Sequence, residues 1–152
     1  MKESVRISKL FEDLYDGSPW IDVTLMGTLK NISAEKAARK IAPDRNSIWQ
    51  ILNHIISWRN NVLQRVQGEV IISPDDNYFT PVADTSEKAW RQALQNLEDS
   101  ELRWIDFLKK IDESQFERIY PRNEMTFYEH IQGILQHDAY HLGQIVLLSK
   151  LL

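Results

Sequence analysis

Four long stretches of this chain repeat apolar residues every three or four positions, and each is bounded by residues that start or stop a helix. Ser47-Ile-Trp-Gln50 and Thr126-Phe-Tyr-Glu129 both have the form of a capping box. From Ser47 a helix is expected to run to about Val66 and to stop at Gly68. Ile48, Ile51, Leu52, Ile55, Trp58, Val62 and Val66 form its apolar stripe. Asp84-Thr-Ser-Glu87 opens another, which runs to about Ile111 on Trp90, Leu94, Leu97, Trp104, Leu108 and Ile111. The last runs from Thr126 nearly to the end of the sequence.

The first helical region is split. Residues 4–15 place Val5, Leu10, Phe11 and Leu14 near one face, Asp16-Gly17-Ser18-Pro19 breaks the helix, and Trp20 to Lys30 resumes it. Ser33 is positioned to cap a short turn that ends before Pro43. Residues 67–84 form a long connection in which two prolines and Asp75-Asp76-Asn77 forbid a helix. Connections of that length are often functional, and this one is placed to help cover a pocket. Only Val70-Ile71-Ile72 has any strand character. There is no fixed-period repeat. Amphipathic helices of this length must bury their stripes against one another, so the expected fold is all-α, a four-helix bundle in a single domain over residues 1–152.

The formal net charge is −4, with no basic stripe, which argues against nucleic acid as a partner. The chain has no cysteine. That excludes disulfides, thiolate nucleophiles and Cys-ligated metal sites, and it fits a reducing compartment. The first seventeen residues hold no apolar run of signal-peptide length, and the terminal Ile-Val-Leu-Leu-Ser-Lys-Leu-Leu is too short to span a bilayer. The expectation is a cytoplasmic protein with no membrane partner.

All four histidines fall on predicted helices. His137 and His141 are four apart, so they stack on one face, and Ile134, Ile145 and Leu148 share it. His54, between Ile51 and Trp58, borders the apolar stripe of another helix. Three histidines from two helices, with a fourth position open, is the arrangement of a catalytic zinc site. Imidazole also suits nickel, copper and iron. Spacing alone leaves a second reading open, in which the histidines are merely packed and hydrogen-bonded within a bundle. Glu129 and Asp138 fall off the histidine face, so no fourth protein ligand is evident.

The segments Ser-Ile-Trp-Gln-Ile-Leu-Asn-His54 and His137-Asp-Ala-Tyr-His141-Leu-Gly-Gln144-Ile resemble the DinB/YfiT-like family of metalloenzymes. The resemblance extends to the Gly17-Ser-Pro-Trp20 break and to Trp90, and so to nearly the whole chain. It implies up-down-down-up topology and a divalent metal, with zinc or nickel the expected cofactor. Carried over residue by residue, the ligands it implies are His54, His137 and His141. It also implies a homodimer, and a reaction in which a low-molecular-weight thiol such as bacillithiol or mycothiol is transferred to an electrophilic substrate. A metal-dependent hydrolase and a non-catalytic, stress-related metal-binding bundle are the alternatives.

Other residues are candidates of lower rank. Trp58 can wall the pocket or serve as plain core. Asn61 lies on the His54 side of its helix. Gln144 lies near the end of the histidine face and can hydrogen-bond a second group. His130 can be a pocket acid or base, or a satisfied core histidine. Gly143 can mark a close helix crossing. Asp138 and Tyr140 are read as off the histidine face and as structural or at an interface, and Arg59, Arg65 and Arg122 as solvated charges or partners for a thiol's carboxylate.

Overall fold

The computed structural model describes residues 1–152, and its regular structure is helical. Six α-helices follow in chain order: α1 (Glu3–Tyr15), α2 (Leu25–Leu29), α3 (Ala34–Ala38), α4 (Ile48–Val66), α5 (Glu87–Lys110) and α6 (Phe127–Leu151). A 3-10 turn, Glu113–Glu117, lies between α5 and α6. There is no strand, only an isolated bridge between Ile119 and Thr126. The strand character at 70–72 is not realised. Val70 and Ile72 are exposed, and the Tyr120 hydroxyl accepts from the Ile71 N–H and donates to its carbonyl. No helix is long and apolar enough to cross a membrane.

The starts of α4 and α6 follow from their local chemistry. Ser47 and Thr126 each accept from the N3 backbone N–H, and Gln50 and Glu129 reach back to the cap N–H, so both capping boxes form. Helix α4 ends in a Schellman motif: Gly68 adopts φ 101°, its N–H donates to Arg65, and the Glu69 N–H donates to Gln64. Helix α5 is capped by Ser86, whose own N–H is held by Asp84.

Helix α4 packs on α5 and α6, and α1 packs on α5 and α6, so the four long helices close a ring around the core. That core has two apolar layers. One holds Ile48–Ile55 of α4 with Trp90, Ala93 and Leu97 of α5, Leu142 and Ile145 of α6, and the buried residues of α2 and α3. The other holds Val62, Leu63 and Val66 with Trp104, Ile105 and Leu108, Phe127, Ile131 and Ile134, and Phe11 of α1 stacked on Trp104 at 5.1 Å.

Three expectations for the periphery need correction. Trp20 does not resume a helix: it is 98 % exposed in a turn closed by Asp22 N–H to Pro19, and the next helix starts only at Leu25, after its Thr24 cap. In α1, Val5 and Leu10 are exposed. The buried face is carried by Ile7, Phe11 and Leu14 because only that row meets α5 and α6. Gly143 marks no close crossing, since a Cβ there, as at Gly133, would meet nothing within 4 Å.

Both glycines therefore place a flexible residue in a helix interior without a packing reason. Gly133→Ala is expected to raise stability by about 0.5–1 kcal/mol, roughly 2–4 °C per kcal/mol in Tm for a chain of this size. Thermal unfolding of the variant checks this, and a lowered Tm would contradict the open space at that position.

Candidate metal centre

Because α4 and α6 are direct neighbours, the histidine of one meets the pair on the other. One ligand-capable nitrogen from each of His54, His137 and His141 lies within 4.8 Å of the other two. His54 Nε2 and His137 Nε2 are 2.9 Å apart. His54 and His141 are buried, and His137 lies at the edge of the group.

The opposite ring nitrogens are all engaged by oxygen. His54 Nδ1 donates to the Asn77 carbonyl (2.6 Å), His137 Nδ1 to Asp138 Oδ1 (3.3 Å) and His141 Nδ1 to Gln144 Oε1 (2.7 Å). Gln144 Nε2 donates in turn to the Tyr140 hydroxyl, which fixes its amide orientation. Three Nδ1–H tautomers leave three Nε2 lone pairs aimed at one small volume. Acceptors do not satisfy one another, and buried unpaired polar groups are costly. A cation bound by the lone pairs removes that cost. Two nitrogens on one tetrahedral ion, each about 2.0–2.1 Å from it, sit roughly 3.3 Å apart, a separation this cluster accommodates. The donor set thus fits a divalent metal. Burial lowers the pKa of His54 to about 4 and that of His141 in the same direction, so both imidazoles are neutral near pH 7.

The connection after α4 is strapped over this group. Asn77 and Tyr78 both have positive φ, at 53° and 64°, a conformation that Asn tolerates better than most residues. The turn delivers the Asn77 carbonyl to His54 and its side-chain oxygen to Trp58 Nε1 (2.9 Å). Phe79 lies flat on the His54 ring at 3.9 Å between centroids. Asn61 is buried, and its Nδ2 donates to the Tyr78 hydroxyl (2.8 Å), so it anchors the strap and does not reach the histidines.

Asp138 reaches the same site from the other side. It is buried, and while one oxygen serves His137 the other faces Arg59 Nε at 3.5 Å. Arg59 is only 1 % exposed and is paired with Glu101 of α5. Its carbonyl accepts from Trp104 Nε1, and its guanidinium lies 5.5 Å from the Phe11 ring. Arg59 is not the solvated charge the sequence suggested, and Asp138, though structural, also reaches a histidine of the group. Sequence periodicity cannot separate a buried ion pair from surface charge when the polar residues lie beside an apolar stripe.

The histidines open onto a cavity of about 720 Å³, lined also by Trp58, Asn77, Phe79, Tyr140 and Gln144, with an apolar wall toward the end of α6. Trp58 and Gln144 both face this space. Tyr140 lines the cavity as well, because it lies three residues after His137 and four before Gln144 on the same helix. His130 does not line it. Its Nε2 is 3.2 Å from Asn123 Oδ1 and its ring meets the edge of Tyr120, so it is a hydrogen-bonded core histidine. Of the residues that sequence reading missed, Asn77 alone had a signal, in its turn-forming Asp-Asp-Asn context.

Fold and site together define a helical protein with an interhelical three-histidine group that could hold a metal ion. A family model described as the DinB superfamily matches residues 23–145, from before α2 through most of α6, and the chain belongs to that superfamily. No curated protein and no solved structure matches it.

Two outcomes follow for the protein without metal. Arg59→Met strands two buried carboxylates and is expected to cost about 3 kcal/mol or more. Adding Glu101→Gln and Asp138→Asn should restore part of that loss in chemical denaturation, whereas simple additivity of the three losses would refute the coupling. Acidification is expected to destabilise the fold. The unfolded chain binds protons at its histidines near the ordinary value of 6.5, while His54 in the fold resists until about 4. Stability should therefore fall between those values as pH drops. Tm at pH 7.5 and pH 5 checks this in a range where carboxylates stay largely ionised, and an unchanged or higher Tm at pH 5 would contradict it.

Proposed function

We propose that this chain is a metal-dependent enzyme in which His54, His137 and His141 hold a divalent cation, zinc or nickel. In this reading it transfers a low-molecular-weight thiol to an electrophilic substrate. The observation that carries the metal is the convergence of three Nε2 lone pairs whose Nδ1 partners are all oxygens. Catalysis rather than a structural site is favoured by the cavity beside them. Structural zinc sites close with a fourth protein ligand, whereas catalytic ones keep a position for substrate.

A bound divalent ion would lower the pKa of a thiol so that its anion forms near neutral pH. In the net reaction the thiol sulfur bonds to the electrophilic carbon, the leaving group departs with its electron pair, and the thiol proton is released. The chain's own residues orient and shield. Asn77, Asp138 and Gln144 hold the three imidazoles in one tautomer. Phe79 and Trp58 exclude water from the histidine side. The Tyr140 hydroxyl accepts from Gln144 and keeps its own proton available to donate into the cavity, so Tyr140 is the residue placed to protonate a leaving group. Hydrolysis on the same ligand set, and a metal-stabilised bundle without turnover, are the competing readings.

We also infer up-down-down-up topology. It is supported by the shared layers: early α4 with early α5 and late α6, late α4 with late α5 and early α6. The thiol chemistry fits a cytoplasmic setting, and exposed Val5, Leu10 and Leu102 offer apolar surface to a homodimer.

Metal content of tag-free protein by mass spectrometry, together with zinc and nickel titration, tests the first step. About one equivalent is expected in the parent. His141→Ala should weaken uptake strongly, and the His137→Ala/His141→Ala pair should add little further loss. Folded protein that takes up neither metal would sink the proposal. Loaded protein that binds metal but leaves thiols and electrophiles unreacted would leave the non-catalytic reading.

A further inference from the structure

The cavity is not uniform in chemistry. The histidines lie at one end. From there a single face of α6 runs through Gln144 to Leu147, Leu148 and Leu151, spaced three and four apart, and Ile41 faces the same space. From His141 to Leu151 the helix rises roughly 15 Å. Leu147, Leu151 and Ile41 are all about half exposed or more, which is costly for apolar side chains that line a cavity and touch no partner. Of the fifteen lining residues Arg45 alone carries a fixed charge.

Arg45 stands two residues before the Ser47 cap of α4. The first residues of α4 share a core layer with the late residues of α6, so Arg45 belongs to the leucine end of the cavity. About 10 Å of helix rise separates Ser47 from His54. Arg45 has one acidic partner, the adjacent Asp44 at 3.3 Å, and both side chains are more than two-thirds exposed. Exposed pairs of this kind are weak and readily exchanged for another anion. Asp44 does not line the cavity.

We propose that the cavity takes an elongate amphiphile, with its carboxylate at Arg45, its apolar body along Ile41, Leu147, Leu148 and Leu151, and its opposite end toward the histidines. The inference names the substrate class of the site proposed above and rests on that cavity being a substrate site. It does not require the metal. Apolar contact supplies the length preference, and the guanidinium, which presents paired donors to a carboxylate, supplies the choice of head group.

Decanoate and 1-decanol are the probes, titrated into metal-free and zinc-loaded protein below their self-association limits and read by calorimetry and by Trp fluorescence. Decanoate is expected to bind both forms, with 1-decanol about tenfold weaker, as the loss of a charge-assisted hydrogen bond implies. Arg45→Gln should erase that preference, and Leu147→Gln should weaken both probes. Both side chains are exposed, so neither change threatens the fold. Equal binding of the two probes, or an Arg45→Gln variant that still prefers decanoate, would overturn the proposal. So would decanoate binding that vanishes with the metal, because the carboxylate would then sit at the histidines. Binding of neither probe, as when a second copy of the chain covers the leucine wall, also overturns it. Zinc uptake is scored separately, so failure here and failure of the metal reading are distinguishable.

Discussion

A single buried guanidinium touches all four long helices. Arg59 stems from α4, pairs with Glu101 on α5, faces Asp138 on α6 and lies beside Phe11 on α1. A cation in that position is tolerable only if the carboxylates stay near it, because breaking a buried pair costs more than making it gains. Burial pushes the Glu101 carboxyl up against the pull of Arg59, a measure of how dry the layer is. The two apolar layers of the core can slide or twist only at the expense of this polar layer. Arg59 thus limits the relative placement of α4 and α6, which is what His54 and His137 need in order to meet.

The same layer reaches the histidines through one residue. Asp138 uses one oxygen on Arg59 and the other on the Nδ1 of His137. Orientation of one imidazole is thereby tied to the ion pair that orders the bundle. The other two imidazoles are oriented by different means: His54 by a loop carbonyl and a stacked phenyl ring, His141 by a side-chain amide one turn along its own helix. Rigid helices set the positions of all three, and three separate hydrogen bonds set their rotation. Loss of one such bond should loosen one ring without displacing the others.

How much of this was legible beforehand follows from what each feature depends on. The capping boxes at Ser47 and Thr126 are local chemistry, so the starts of α4 and α6 read directly. The i, i+4 pair His137 and His141 is helix geometry, and the inward phase of His54 follows from its stripe. Helix phase suggested that these three belong together, the resemblance matched each of them to a ligand position, and the packing of α4 on α6 brings them within reach. Asn77, Asp138 and Tyr140 were hidden for a different reason. Asn77 acts through a backbone carbonyl, so its turn-forming context marks the bend but not the contact with His54. Asp138 looks polar in a window that cannot show Arg59, seventy-nine positions earlier. Tyr140 lies on the rim between the core face and solvent, where a helical wheel gives no decision. Trp20 misled because an aromatic after a Pro turn reads as the restart of a helix, yet nothing packs on it.

The absence of a fourth histidine-side ligand has a physical origin in how the acids are spent. Glu129 is consumed by the α6 capping box, where it accepts from both the backbone and the hydroxyl of Thr126. Asp138 is held between Arg59 and His137 with its side chain 1 % exposed. Glu101 lies beyond Arg59, and Asp44 is turned to solvent. Phe79 and Asn77 cover one side of the histidines, and α4 and α6 supply the walls. The direction left open is the cavity, whose lining includes the Tyr140 hydroxyl. A tyrosine hydroxyl already accepting from Gln144 is a poor substitute for a carboxylate ligand and a good hydrogen-bond donor to something placed between it and the histidines.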